Sequence, residues 1–163
     1  MAQLTDSITG FNLEIKTLYD IEKQLEKALP RMAEAAINPE LSEGFMEHLE
    51  ETKEHANRLE KIFKLIGVPA QAHPSQSIKG LIADGDEIAA SNGPEELRDA
   101  LLAGAARGVE HFEMACYMNA IETAKQLELS EAVELLEDTL GEEEAADEKL
   151  KAAVIDNLQL ATV

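Results

Sequence analysis

Each long helix that this sequence predicts carries an acid or a histidine on the stripe that should be purely apolar. In the first, Phe11, Ile15, Leu18, Leu25, Leu29 and Met32 recur at helical spacing, and Glu22 falls among them. In the second, His48, Thr52 and His55 share the stripe of Leu41, Phe45, Leu59, Ile62 and Ile66. Glu51 flanks that stripe, and Glu54 points to the solvated side. The third places Glu113 centrally among Leu102, Val109, Cys116, Ala120 and Leu127, with Glu110 a turn earlier near the edge. The fourth centres Asp147 among Val133, Leu136, Leu140, Leu150 and Val154, and Glu143 and Glu144 straddle the stripe a turn before it. Burying an ionised carboxylate without a partner costs several kcal/mol even after relaxation. Acids on four separate helices therefore call for a shared compensating charge, and a metal centre inside a helical bundle supplies one. Carboxylates with imidazole suit iron or manganese, and two divalent ions are balanced by four carboxylates. A site of oxygen ligands alone would suit magnesium or calcium, and histidine argues against that.

Taken singly, these residues have ordinary explanations. A lone Glu on a stripe can sit at a bundle end or snorkel its head to water. His48 and His55 are each compatible with a satisfied core or boundary histidine. They lie nearly two turns apart, so one compact centre is expected to take only one of them, His55. His111 points outward beside Glu110, and His73 falls in a loop. The run Glu142-Glu143-Glu144 reads as a solvated acidic face by default. Cys116 has no identifiable partner base and reads as a small core residue, and Met114 and Met118 carry no cofactor signal. The coincidence across four helices favours metal binding over these separate explanations.

The elements that must position these groups follow from caps and breakers. The first helix is expected over 4–36, with Thr5 or Asp6 as its cap and a kink or break near Pro30. Asn38-Pro39 starts the second helix, 39–66, which Gly67 and Pro69 end. Residues 68–75 read as loop, followed by a short helix over 76–90. Ser91-Asn92-Gly93-Pro94 then stops and restarts the chain. The third long helix is expected over 95–127, and Ser130 caps the fourth, 130–158. Two tightly joined helix pairs, separated by a long connection with its own helix, predict an all-α four-helix bundle with one long crossover.

Composition agrees. The 163 residues, 45 % of them apolar, suit a single domain spanning 1–163 with a real core. A net charge of −19 argues against nucleic acid and anionic membrane surfaces as partners, and it attracts cations. The one cysteine, Cys116, cannot form an intramolecular disulfide, which fits a reducing compartment. The opening MAQLTDSITGFNLEI lacks a basic segment followed by an apolar run, and no stretch reaches the roughly 20 apolar residues of a membrane span. A cytoplasmic protein is expected.

Four segments, LYDIEKQLEKALPRMAEAA (18–36), FMEHLEETKEHANRLEKI (45–62), GVEHFEMACY (108–117) and LLEDTLGEEEAADEKL (135–150), together resemble the YciE/YciF-like family of ferritin-like bacterial proteins. The resemblance spans nearly the whole chain. It implies a ferritin-like fold, a homodimer and a link to bacterial stress responses. It also implies a ligand plan like that of rubrerythrin sites. Glu22 would fill the first-helix slot and Glu51 the second, where E-x-x-H spacing lands on Glu54 and the nearest inward histidine is His55. Glu110 and Glu113 would form E-x-x-E on the third helix. Glu144 with Asp147, or Glu143 in place of Glu144, would complete the fourth. On this reading two iron ions (Fe) are expected, with manganese or zinc as alternatives, and open positions for dioxygen or peroxide in ferroxidase- or peroxidase-like chemistry. The competing expectation is a non-catalytic helical dimer with a structural or interaction role, its metal vestigial or structural. A closed iron-storage shell is not implied by the fold.

Overall fold

The computed structural model describes residues 5–161, and all the regular structure among them is helical. Five helices follow one another: α1 (Ser7–Ala35), α2 (Pro39–Leu65), α3 (Gln76–Ala89), α4 (Glu95–Gln126) and α5 (Ser130–Ala161). The expected start of the first helix at Leu4 lies outside the described residues. α1 begins at a capping box, in which Asp6 accepts from Thr9 N at 3.0 Å and Asp6 N donates to Thr9 Oγ1 at 3.2 Å. It runs unbroken through Pro30. That proline is exposed, so the carbonyl it leaves without an N–H partner is on the solvent side.

The turn into α2 is held from both directions. Asn38 caps the helix by accepting from Glu40 N at 2.9 Å, and Pro39 takes the first turn, where no N–H is needed. Across the turn, the buried Asp99 of α4 accepts from the backbone N–H groups of Ile37 and Asn38 at 3.0 and 2.6 Å. Gly67, at φ +71, ends α2 in the left-handed conformation that only glycine adopts cheaply. Ser75 caps α3, and its own N–H donates to Asp20 of α1 at 2.8 Å.

α1 packs on α2 and α4 on α5, while α1 also meets α4 and α2 meets α5, so the four long helices enclose a common interior. α3 lies against α1 and α4. The interior is filled by Phe11, Ile15, Leu18 and Ile21 of α1, Phe45, Leu59, Ile62 and Phe63 of α2, and residues such as Leu102, Tyr117 and Leu136 from the other pair. Each large apolar side chain fully buried here contributes about 1.5–3 kcal/mol. A buried, unpaired carboxylate would cancel at least one of them, and this interior contains several. Among the described residues, no helix is long and apolar enough to cross a membrane.

Candidate metal centre

Five of the acids and histidines on the inner stripes converge at mid-bundle. Glu22 comes from α1, His55 from α2, Glu110 and Glu113 from α4, and Glu143 from α5; all are at most 2 % exposed. A sixth residue, His48 of α2, joins them. Their ligand atoms form two overlapping groups, His48–Glu110–Glu113–Glu143 and Glu22–His55–Glu143, within each of which all atoms lie within 4.8 Å of one another. Glu143 belongs to both groups.

Each histidine has one ring nitrogen tied outward and the other aimed inward. Nδ1 of His48 donates to Glu51 at 3.1 Å, so its Nε2 faces Glu110 Oε1 at 3.4 Å and Glu143 Oε2 at 3.6 Å. His55 is mirrored. Its Nε2 donates to Glu142 at 2.9 Å, and its Nδ1 faces Glu143 Oε1 at 3.0 Å and Glu22 Oε2 at 3.6 Å. A carboxylate on the far ring nitrogen fixes ring orientation and raises ligand basicity, the usual support of a metal-bound histidine. Glu142 is itself clamped by Arg58, whose Nη2 donates to Oε1 at 2.9 Å and whose Nη1 reaches Thr139 at 3.2 Å. On the α1 side, the Tyr117 hydroxyl donates to Glu22 Oε1.

The inward atoms have no such partners. Glu22 Oε2, His55 Nδ1, Glu110 Oε2 and both carboxylate oxygens of Glu113 and of Glu143 are buried without a hydrogen bond. The 3.0 Å approach of His55 to Glu143 is close but misaligned, so it is an ionic contact and leaves both atoms without a hydrogen bond. Buried polar groups are almost always satisfied, and an unmatched set aimed at one another marks a place for a ligand.

Protonation tells the same story. Burial, then the neighbouring Glu143, pushes the carboxyls of Glu110 and Glu113 well above the ordinary range. Burial raises Glu22 too, against the pull of His55. Burial also acts to raise Glu143, but contact with His55 overrides it and leaves that carboxyl below its ordinary value. For His55 itself, burial favours the neutral ring, yet Glu143 and Glu22 outweigh it and push the pKa up to about 11. Without an ion, protons supply the positive charge that the cluster demands.

The other candidates are elsewhere. Glu51 is half-buried and braces His48 from outside the cluster, and contact with that ring holds its carboxyl below the ordinary value. Glu144 is exposed. Asp147 faces away into an ion pair, accepting from Arg107 Nε at 2.7 Å and Nη2 at 3.2 Å, with His111 Nε2 at 3.3 Å. Arg107 lies level with it on α4 and neutralises it locally. Of the fourth-helix alternatives, only Glu143 enters the cluster. The expectation that one centre takes a single histidine also needs correction. Seven residues bring a side chain back to within about 20° on a helix, and the two rings lean together until their centroids are 6.2 Å apart, with Glu143 in contact with both. Sequence reasoning gave no role to Glu142, Arg58 or Tyr117. The placement of Arg58 one turn after His55 was the available signal.

The sequence profile of the family described as "Domain of unknown function (DUF892)" matches residues 9–161. Protein YciF of Escherichia coli (strain K12) is 38 % identical over 141 residues, covering 86 % of this chain and 85 % of that protein. The crystal structure of the E. coli stress protein YciF superposes with a TM-score of 0.91 at 35 % identity, over 95 % of this chain and 98 % of that one. A Rhodopseudomonas palustris protein called YcfI, whose description proposes a structural role, gives 0.89 at 35 % identity over 91 % and 95 %. A Xanthomonas campestris pv. campestris protein shares the fold, with a TM-score of 0.73 at 20 % identity over 97 % and 100 %.

Proposed function

We infer that this chain, which belongs to the DUF892 family, is a single ferritin-like domain, its extra helix α3 lying in the long crossover, that holds a two-ion carboxylate centre. The buried inward atoms without hydrogen-bond partners carry this reading. Glu22, His55 and Glu143 would hold one ion; His48, Glu110, Glu113 and Glu143 would hold the other. Four carboxylates balance two divalent charges, and the mixed nitrogen and oxygen donors favour iron, with manganese or zinc as alternatives. Glu51, Glu142 with Arg58, and Tyr117 keep the ligands oriented. Bound there, a redox-active ion would supply oxygen or peroxide chemistry. A role in stress protection draws on the description of the E. coli relative as a stress protein; a cytoplasmic homodimer completes the proposal.

Elemental analysis of protein purified without chelator, beside a Glu22→Ala/Glu113→Ala variant, tests the centre. The expected result is about two ions per chain, lost in the variant; metal-free protein that takes up no divalent ion refutes it. A second reading, a non-catalytic structural protein, draws on the description of the R. palustris relative. Ferrous-loaded protein that binds iron but consumes neither oxygen nor peroxide would favour it.

A further inference from the structure

The inner ends of His48 and Glu110 border two spaces of very different size. On the α1–α3–α4 side, Leu29, Leu81, Ala106 and Val109 close the gap to about 10 Å³, barely a water's room. On the α2–α5 side a cavity of about 320 Å³ opens to the surface. Its floor is His48, Glu51 and Glu110, and its walls include Leu41, Phe45, Leu150 and Ala153. Dioxygen or peroxide would need far less room. A volume at the small end of organic-ligand pockets fits a molecule of roughly ten heavy atoms.

Gly44 lines the cavity one turn before His48 on the same helix face, and a Cβ there would meet nothing within 4 Å. Charge narrows the occupant further. Glu40, Glu51, Glu110 and Asp156 line the cavity, and Lys149 is the one cation among its described lining residues. Lys149 is within 3.8 Å of Glu47 as well. An anionic head is therefore disfavoured. Glu110 is the buried carboxylate at the floor.

We propose that this cavity is the substrate port of the centre: it takes a small molecule with an apolar body and a hydroxyl end and no negative charge, and seats the hydroxyl against His48 and Glu110. The apolar walls, Phe45 among them, hold the body, and the hydroxyl meets the polar floor. The role as a substrate port rests on the two-ion reading above; the binding of the molecule is separable from it.

The test uses 4-fluorophenol as probe, followed by 19F NMR, on zinc-loaded and metal-free protein with zinc content measured on the same samples. The expected result is a saturable shift in the native protein, weakened at least tenfold in Gly44→Leu with zinc content unchanged. Ala153→Phe, which plugs the port from α5, must do the same, and a thermal melt of each variant shows that it is folded. 4-Fluorotoluene and 4-fluorobenzoate are expected to bind at least tenfold more weakly. No saturable shift in the native protein, or a shift that survives both plugs, overturns the port. Benzoate binding as tightly as the phenol overturns the exclusion of anions, and toluene doing so overturns the hydroxyl contact. If zinc does not bind but the plug-sensitive shift remains, the binding site stands, and the substrate-port role falls with the two-ion reading.

Discussion

His55 and His48 sit on one helix and face the same carboxylate, Glu143, yet their surroundings differ. His55 is fully buried, and its outer nitrogen is held by a carboxylate that an arginine fork clamps in turn. His48 borders the cavity, and its brace, Glu51, has a side chain 36 % exposed. Glu142 is no less exposed, at 37 %, but it is held in the two-pronged grip of Arg58 (14 % exposed) that Glu51 lacks, and a bidentate fork is stronger and more demanding in geometry than a single ion pair. On the two-ion reading, the contrast implies a division of labour: the His55 end would retain an ion, and the His48 end would be the one reached.

The largest expected effect comes from removing what the two ends share. Glu143→Ala should abolish binding of both ions, taking metal content from about two per chain to none, measured by elemental analysis after dialysis. A variant that keeps one ion at full occupancy would show that the two ends do not depend on a common ligand. Next come the braces. Glu142→Ala should weaken metal affinity by about 10–100-fold and Glu51→Ala by about tenfold, read by competition with a chromophoric chelator. The reverse order would undo the division between retaining and accessible ends.

Acidity sharpens the same contrast through stability. In the metal-free protein, His55 holds its proton up to about pH 11, against an ordinary value of 6.5. Its contribution is complete below 6.5 and is lost as the pH climbs towards the folded value. Glu22, Glu110 and Glu113 act in the same direction, because the folded state keeps protons that the unfolded chain releases above about pH 4.5. Glu142, Glu143 and Asp147, held below their ordinary values, lose stability only on acidification. Melting temperature of the metal-free protein should therefore fall steadily from pH 6.5 to 10. Metal-loaded protein should not follow, since bound ions displace those protons. Parallel curves for the two forms would mean that ions do not occupy this cluster.

Much of this was legible from spacing alone. The apolar stripes, Asn38-Pro39, Gly67 and the Ser91–Pro94 stop mark out the helices because caps and periodicity are local properties. Glu22, His55, Glu113 and Glu143 could be seen to sit on or beside inner faces for the same reason. Rotation about one helix does not give its sliding register against another, so spacing favours Asp147, at the centre of its stripe, and offers Glu143 only as the alternative to Glu144. Nor does it give side-chain reach, and His48 was set aside on axial distance that two leaning imidazoles close. Glu142 reads as surface charge until Arg58 and His55 are found on either side of it.

Asp147 supplies the smallest effect and the cleanest control. It lies one turn beyond Glu143 on α5 and shares its stripe, but Arg107 meets it in a two-pronged contact at the bundle's margin, the arginine side chain 31 % exposed. Removing the charge while keeping the shape, in Asp147→Asn, should leave metal content unchanged. Stability should fall by about 1 kcal/mol or less, given how far solvent reaches the pair, as read from urea denaturation. Loss of an ion in this variant would mean that Asp147 reaches the centre once metal is bound. The paired result, no metal in Glu143→Ala and full metal in Asp147→Asn, would show that one helical turn separates a ligand from a surface ion pair.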